Sequence, residues 1–329
     1  MRACVVGLGS IGRRYAEILH LHNIKFDVVS TGKGSLTQSL DAQELRGQVG
    51  FSRCYKSLEE AIHSDSYDFW IIATPSVFHS QQAADLLDKG QNFFLEKPVA
   101  VDYQGIALLK AKVQGYEGVA GAGYTLRAHP YVRRLFRIIE ERKLGDPISA
   151  NVVWSSYLPV WHIWEDYRTG YASRLEMGGG VTLTCSHELD LILFLFGRPS
   201  RWMANTSSNS HLDIPVDDCL DALFTFQSGV NCHLHLDFFQ RNNRRIIEVL
   251  FDNGYTKIDL NQHTLQLCGD EMRVESLGGA SADIWSMIYQ YQLSSYINAA
   301  NGSGEECLFA TLQEGLETAL ICDQILTQM

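Results

Sequence analysis

The sequence predicts an α/β chain in two parts: a doubly wound parallel sheet over residues 1–122, and an α+β domain with an open, largely antiparallel sheet over 123–329. Three observations carry that expectation. The chain opens MRACVVGLGSIGRRYAEIL, where an apolar run meets glycines spaced G-x-G-x-x-G and then a helical period. From there to Ala122, strand-like and helix-like segments alternate as βαβ units do. Beyond Gly123 come long stretches of alternating apolar and polar residues separated by turn signals, as in hairpins.

Met1 to Val6 reads as a short buried strand and Arg13 to His20 as the helix after it. Phe26 to Val29 makes a second strand, followed by the polar loop STGKGS. A helix over Ser57 to His63 leads to the apolar strand FWIIAT, and a helix over Gln81 to Asp88 stops at Lys89-Gly90. Asn92 to Leu95, a further helix, and a strand over Gly118 to Ala122 complete a domain of about 120 residues, an ordinary size. In the second part, helical patterns occupy Tyr131 to Lys143 and His187 to Phe196. CLDALFTF, VNCHLHLDFF, RIIEVLFD and YTKIDL read as antiparallel strands of one sheet, joined at QSG, RNN and DNG. The tail from Glu305 to Leu326 reads as a closing helix.

With 329 residues, 46% of them hydrophobic, the chain buries a full core. A formal charge of −11 argues against nucleic acid or an anionic membrane as partner and favours a small molecule. No apolar run reaches the length of a membrane span, and Arg2 leads straight into a strand without a signal-like h-region, so a cytoplasmic protein is expected. Eight cysteines occur without a C-x-x-C pair, as scattered buried thiols do in a reducing compartment.

The glycine turn suits a dinucleotide. Gly7 permits the reversal, Gly9 admits the pyrophosphate, and Gly12 lets the helix pack on the strand, while the helix N-terminus offers N–H groups to the anion. An enzyme using NAD usually ends its second strand in Asp or Glu for the ribose hydroxyl. Here that place reads Ser30-Thr31-Gly32-Lys33, and Asp27 lies too early, inside the strand. Two hydroxyls and a lysine suit a 2′-phosphate, so NADP is expected, with NAD as the open alternative. Thr74-Pro75 and Glu96-Lys97-Pro98 follow consecutive strands at their carboxyl ends, where ligands bind in open α/β sheets. Lys97, held extended by the proline after it, is placed to exchange a proton with a hydroxyl or carbonyl oxygen.

GLGSIG, ATPSVFH, EKPVA, GYTLRAHP and GGGVTLTCSHELD, in that order across nearly the whole chain, resemble the Gfo/Idh/MocA oxidoreductases, the family of glucose-fructose oxidoreductase and inositol dehydrogenase. The resemblance implies an N-terminal Rossmann domain binding a nicotinamide cofactor. It also implies a C-terminal open-sheet domain that builds homo-oligomers, dimers or tetramers, and a sugar, cyclitol or nucleotide-sugar substrate. It makes Lys97 the catalytic acid or base, implies a cis Lys97–Pro98 bond, and involves no metal. The cofactor set expected is Gly7, Gly9, Ser10, Ile11, Gly12, Ser30, Thr31, Lys33, Thr74, Pro75, His79, Glu96 and Lys97.

Members of the family commonly carry an aspartate after the glycines and a histidine one turn later. Here Thr184 or Leu183 stands in place of that aspartate, and His187 remains, with Glu188 and Asp190 beside it. Catalysis then rests on Lys97 and His187, and Thr184 keeps only a hydroxyl for the substrate. LPVWHIWEDYRTGYASRLEMGGG resembles a branch of the family found in bacterial surface-polysaccharide and nonulosonate sugar biosynthesis. Trp164, Asp166 and Arg168 are its expected substrate contacts, an interface arm being the competing reading, and Arg127 follows the last strand of the first domain. His233, His235 and Asp237 alternate on one strand face, which a polar sheet face explains without a metal. The expected activity is hydride transfer between nicotinamide and a hydroxyl or carbonyl carbon of a sugar, amino-sugar or nucleotide-sugar. A dinucleotide-binding regulator that turns nothing over, and an enzyme whose bound cofactor cycles internally, are the alternatives.

Overall fold

The computed structural model describes residues 1–30, 46–47, 49–163, 165–208, 211–304 and 306–327. The chain forms two compact units, the first made of Met1–Tyr124 together with Tyr289–Glu317. In it β1 (Arg2–Val6), α1 (Ser10–Leu21), β2 (Lys25–Val29), β3 (Cys54–Tyr55), α2 (Leu58–Ser64), β4 (Phe69–Ile72), α3 (His79–Asp88), β5 (Phe93–Leu95), α4 (Tyr103–Val113) and β6 (Ala120–Ala122) follow in order. The strands are short apolar runs buried on both faces, as parallel sheets require. The helices start at side-chain caps where the sequence provides them: Ser57 accepts from Glu60 N at 3.1 Å and Asp102 from Gly105 N at 2.8 Å.

With a seventh strand, β15 (Ala310–Thr311), the sheet order is β15-β6-β5-β4-β1-β2-β3, parallel apart from the β15 edge. That edge comes from the far end of the chain and pairs antiparallel with Ala122 and Gly121 of β6. Beside it Tyr296 and Phe309 close on Phe94 in the core that also holds Tyr15, Leu19 and Ile71. Gly121 makes room for them, since a Cβ there meets Phe309 at 2.8 Å and Tyr296 at 2.9 Å. The expected continuous second domain over 123–329 therefore gives up 289–317 to the first unit. The expected tail helix from Glu305 begins only at Leu312, as α9 (Leu312–Leu326), because a two-residue strand precedes it.

The second unit comprises Thr125–Ile288 and the chain from Thr318. Its elements are α5 (Pro130–Glu140), β7 (Pro147–Ser155), α6 (Val181–Thr184), α7 (Ser186–Phe196), β8 (Pro199–Ser207), β9 (Cys219–Phe226), β10 (Asn231–Asp237), β11 (Arg244–Phe251), β12 (Gly254–Asp259), β13 (Thr264–Cys268) and β14 (Met272–Ser276). The strands form one sheet, ordered β14-β13-β12-β11-β7-β10-β9-β8. Its alternation is that of a half-buried sheet: Leu220, Ala222, Phe224, Leu234 and Leu236 face the core, while Asp221, Leu223, His233 and His235 face outward. One pairing departs from the antiparallel expectation: β10 runs parallel to β7, with His233 opposite Asn151. The sheet is thus not a simple meander, because β7 was inserted from far upstream. The long helix α8 (Ser281–Ala300) follows β14. Among the described residues no single helix is long and apolar enough to cross a membrane.

Candidate active site

In the first unit the strand order reverses between β1 and β4, the place where open α/β sheets bind ligands. The turn after β1 is built by its glycines. Gly7 has φ +96°, and a Cβ on it comes within 2.6 Å of Ala73 O on the neighbouring connection. A Cβ on Gly12 lies 2.0 Å from Gly7 O, so only glycine lets α1 seat against the turn. Over Gly9 a Cβ meets nothing within 4 Å, leaving the approach open. Gly9 is the N-cap of α1 without a side-chain cap, and the first turn, with Ser10 and Ile11, holds no acid. The helix therefore presents its N–H groups and its positive end to an anion. These features fit a dinucleotide pyrophosphate.

Asp27 is buried in β2 and fully engaged: Arg2 Nη2 at 2.5 Å and Tyr67 hydroxyl at 2.8 Å donate to Oδ2, and Arg53 N at 2.9 Å donates to Oδ1. It offers nothing to a ribose. Ser30 follows the strand, its N–H donating to Tyr55 O at 3.0 Å, and Thr31 and Lys33 lie outside the described residues.

The loops after β4 and β5 are tied together by one imidazole. His79 Nδ1 lies 2.8 Å from Pro98 O and Nε2 2.8 Å from Thr74 O. The ring is buried, which pushes its pKa down despite two carbonyl partners. Both nitrogens face backbone carbonyls, a neutral ring donating to one of them at a time, so His79 here ties the two loops together rather than standing as the direct cofactor contact expected. Thr74 is half-buried, its hydroxyl donating to Gln82 Oε1 at 2.6 Å, and Pro75 is exposed. Glu96 is likewise scaffold. Its buried carboxyl accepts from the Tyr15 hydroxyl and from Lys97 N at 3.1 Å, and burial pushes its pKa up. It fills the space that Gly123 leaves, since a Cβ there meets Oε1 at 2.9 Å. Lys97 emerges half-buried beyond it, and the Lys97–Pro98 peptide is cis.

In the second unit the glycine-rich entry to α6 is organised by Asp217, which the sequence reading passed over. Its Oδ2 accepts from Thr182 N at 2.8 Å and Thr182 Oγ1 at 2.6 Å, and Oδ1 occupies the space of a Cβ on Gly180, 1.9 Å away. Thr184 and His187 are both buried on the short helices that follow. The two acids near His187 are each held by an arginine. Arg127 grips Asp190 with two bonds of 2.9 and 2.8 Å and stacks on Phe194, and Arg245 Nε donates to Glu188 at 2.6 Å. Arg127 is thus a buried structural cation as much as a substrate candidate, and Thr184 gains no neighbouring free carboxylate from Asp190. Asp166 and Arg168 pair with each other in a half-exposed fork at 3.0 to 3.2 Å on a short 3₁₀ turn. Trp164 lies outside the described residues.

Residues 1–124 match the model of an oxidoreductase family with an NAD-binding Rossmann fold, and 132–257 match the GFO/IDH/MocA C-terminal domain. Among similar curated proteins, 1,5-anhydro-D-fructose reductase of Ensifer adhaerens is 25% identical over 81% of this chain and 79% of its own length. The scyllo-inositol 2-dehydrogenase (NAD(+)) of Bacillus subtilis is 23% identical over 60% of this chain and 54% of its own. An oxidoreductase of Streptococcus pneumoniae is matched over 43% of its length. Levoglucosan dehydrogenase in complex with NADH shares the fold at TM-score 0.84 and 17% identity, covering 99% of this chain and 96% of that one. The WlbA dehydrogenase of Bordetella pertussis, in complex with NADH and UDP-GlcNAcA, does so at 0.81 and 16%, covering 99% and 94%.

Proposed function

Because the chain belongs to the GFO/IDH/MocA family of NAD-binding oxidoreductases, we propose that it oxidises or reduces one carbon of a sugar, amino-sugar or nucleotide-sugar, with Lys97 as the catalytic acid or base. The observation that carries this reading is the placement of Lys97 at the carboxyl end of β5. Its loop is fixed by His79 to the loop after β4, in the same sheet edge as the open glycine turn. Gly7, Gly9, Gly12 and the first turn of α1 hold the pyrophosphate, and the nicotinamide, when bound, supplies the hydride chemistry. Lys97 Nζ takes the hydroxyl proton during oxidation and returns it to the carbonyl oxygen during reduction. In the second unit, His187 remains the candidate second catalytic residue and Thr184 a candidate hydrogen-bond partner for substrate.

NADP is the preferred dinucleotide in this reading, since the one carboxylate of β2, Asp27, is spent on Arg2, Tyr67 and Arg53. The chain works in the cytoplasm as a homo-oligomer through the outer face of the eight-stranded sheet. Met203 and Leu223 support this, lying opposite each other there at 66% and 53% exposure.

The test is a panel of sugars, anhydro-sugars, cyclitols and UDP-sugars, read by nicotinamide absorbance after any co-purifying cofactor has been removed. At least one substrate turns over, and Lys97→Ala lowers that rate by about 10²- to 10⁴-fold with dinucleotide affinity kept within a few-fold. Failure of the whole panel while the dinucleotide still binds favours the regulator reading, to which the lack of a carboxylate at Thr184 also points.

A further inference from the structure

On the outer face of the second unit's sheet, the register of β9 and β10 sets Asp221 opposite His235 and Cys219 opposite Asp237. Two of these residues were not in the pattern that alternation on β10 alone suggests. His235 Nδ1 lies 2.8 Å from Asp221 Oδ1, and its Nε2 lies 3.1 Å from Asp237 Oδ2. Cys219 Sγ is 3.9 Å from Asp221 Oδ2. One donor atom each from Cys219, Asp221 and His235 falls within 4.8 Å of the others, so small rotations bring them to the spacing of a tetrahedral ion.

Asp237 has a different part. It is buried, and its other oxygen accepts from Phe239 N at 3.0 Å and Gln240 N at 2.7 Å, which fixes the carboxylate in place. An anchored carboxylate on Nε2–H sets the tautomer of His235 and turns Nδ1 toward Asp221 and Cys219. Metal-binding imidazoles are held in this way. His233 leans on Asp221 from the other side at 3.3 Å but is committed to Asn151 at 3.1 Å.

A divalent ion is bound by the thiolate form of Cys219 and by a bare Nδ1 of His235, so any proton on either atom leaves to solvent on binding. Thiolate, imidazole and carboxylate together select zinc over magnesium or calcium. In the single chain Asp221 is exposed and the other two are half-buried.

We propose that Cys219, Asp221 and His235 form a Zn²⁺ site on this sheet face, with Asp237 as the positioning residue behind His235. Metal-stripped full-length protein is titrated with Co²⁺, read by the thiolate-to-cobalt charge-transfer band, and with Zn²⁺ in competition with a chromogenic chelator. The wild type shows the band. Cys219→Ser abolishes it, His235→Gln and Asp221→Asn weaken Zn²⁺ binding at least about tenfold, and Asp237→Asn weakens it about 10- to 100-fold. His233→Ala leaves it within a few-fold. Dinucleotide affinity, unchanged in every variant, reports that the chain has folded. A wild type without the band overturns the proposal, as does a band that survives Cys219→Ser, since exposed Cys54 or Cys307 is then its source.

Discussion

The Tyr15 hydroxyl donates to the buried carboxyl of Glu96, joining helix α1 of the glycine turn to the residue that precedes Lys97. Both residues are buried, and Glu96 also receives the N–H of Lys97. The loop that presents the lysine and the helix that presents its N-terminus to an anion are therefore fixed to one another through a single carboxyl group.

Removing the hydroxyl leaves a buried carboxyl oxygen without its donor. Tyr15→Phe is expected to lower the unfolding free energy by about 1–3 kcal/mol, measured by urea denaturation. Pairing it with Glu96→Gln in a double-mutant cycle returns a coupling energy, and a coupling of zero contradicts the link.

The proposed preference for NADP rests on the residues that follow β2, Ser30 to Lys33. Fluorescence titration is expected to show NADPH binding at least as well as NADH, with Lys33→Ala weakening NADPH selectively. A preference for NADH that Lys33→Ala leaves untouched removes the 2′-phosphate reading.

Arg127 and Asp190 are a buried bidentate ion pair, with the arginine also stacked on Phe194. Breaking such a pair leaves an uncompensated buried charge. Arg127→Met and Asp190→Asn are each expected to cost about 3–5 kcal/mol of stability, and the double replacement less than their sum. Unchanged stability with a raised KM in Arg127→Met identifies the arginine as a substrate contact instead.

His129 caps α5 through its Nδ1, which accepts from Tyr131 N at 3.2 Å, and its ring stacks on His263 at 6.2 Å. Burial, with the nearby His263 and Arg245, lowers its pKa from 6.5 to about 3. Above pH 6.5 both folded and unfolded states hold it neutral, and its contribution to stability is fully present. Between 6.5 and about 3 only the unfolded state takes up the proton, so stability falls with falling pH at up to about 1.4 kcal/mol per pH unit. His129→Asn retains a capping oxygen and does not titrate, so its stability, followed by thermal unfolding, falls less steeply on acidification. Parallel curves for the two proteins contradict the assignment.

What the sequence made legible was local. Strands β1, β2, β4 and β5 lie within a residue or two of expectation because a parallel strand buried on both faces is a continuous apolar run, and β9 coincides with CLDALFTF. The glycine turn and Lys97 were readable for the same reason, each being set by its immediate neighbours. What escaped depends on partners far along the chain. Tyr15 and Glu96 are 81 residues apart, Arg127 and Asp190 63, and Thr182 and Asp217 35, and no periodicity relates them. The strand β8, reading PSRWMANTS, carries too little apolar contrast to declare its faces, and the parallel pairing of β10 with β7 leaves no trace in either segment. The helix α8 carries apolar residues around most of its circumference, so no single stripe marks it.

The edge strand β15 has a consequence for the order in which the protein is made. Its pairing with β6, and the packing of Tyr296 and Phe309 on Phe94, complete a sheet whose other strands lie before residue 123. On the ribosome those strands leave the tunnel first, yet the hydrogen-bonding groups of β6 and one side of the Phe94 cluster wait for residues 289–317. The unit whose strands β1–β6 are made before the eight-stranded sheet is thus closed only after that sheet has been made. During synthesis of the intervening eight-stranded sheet it must persist as a partly open nascent fold.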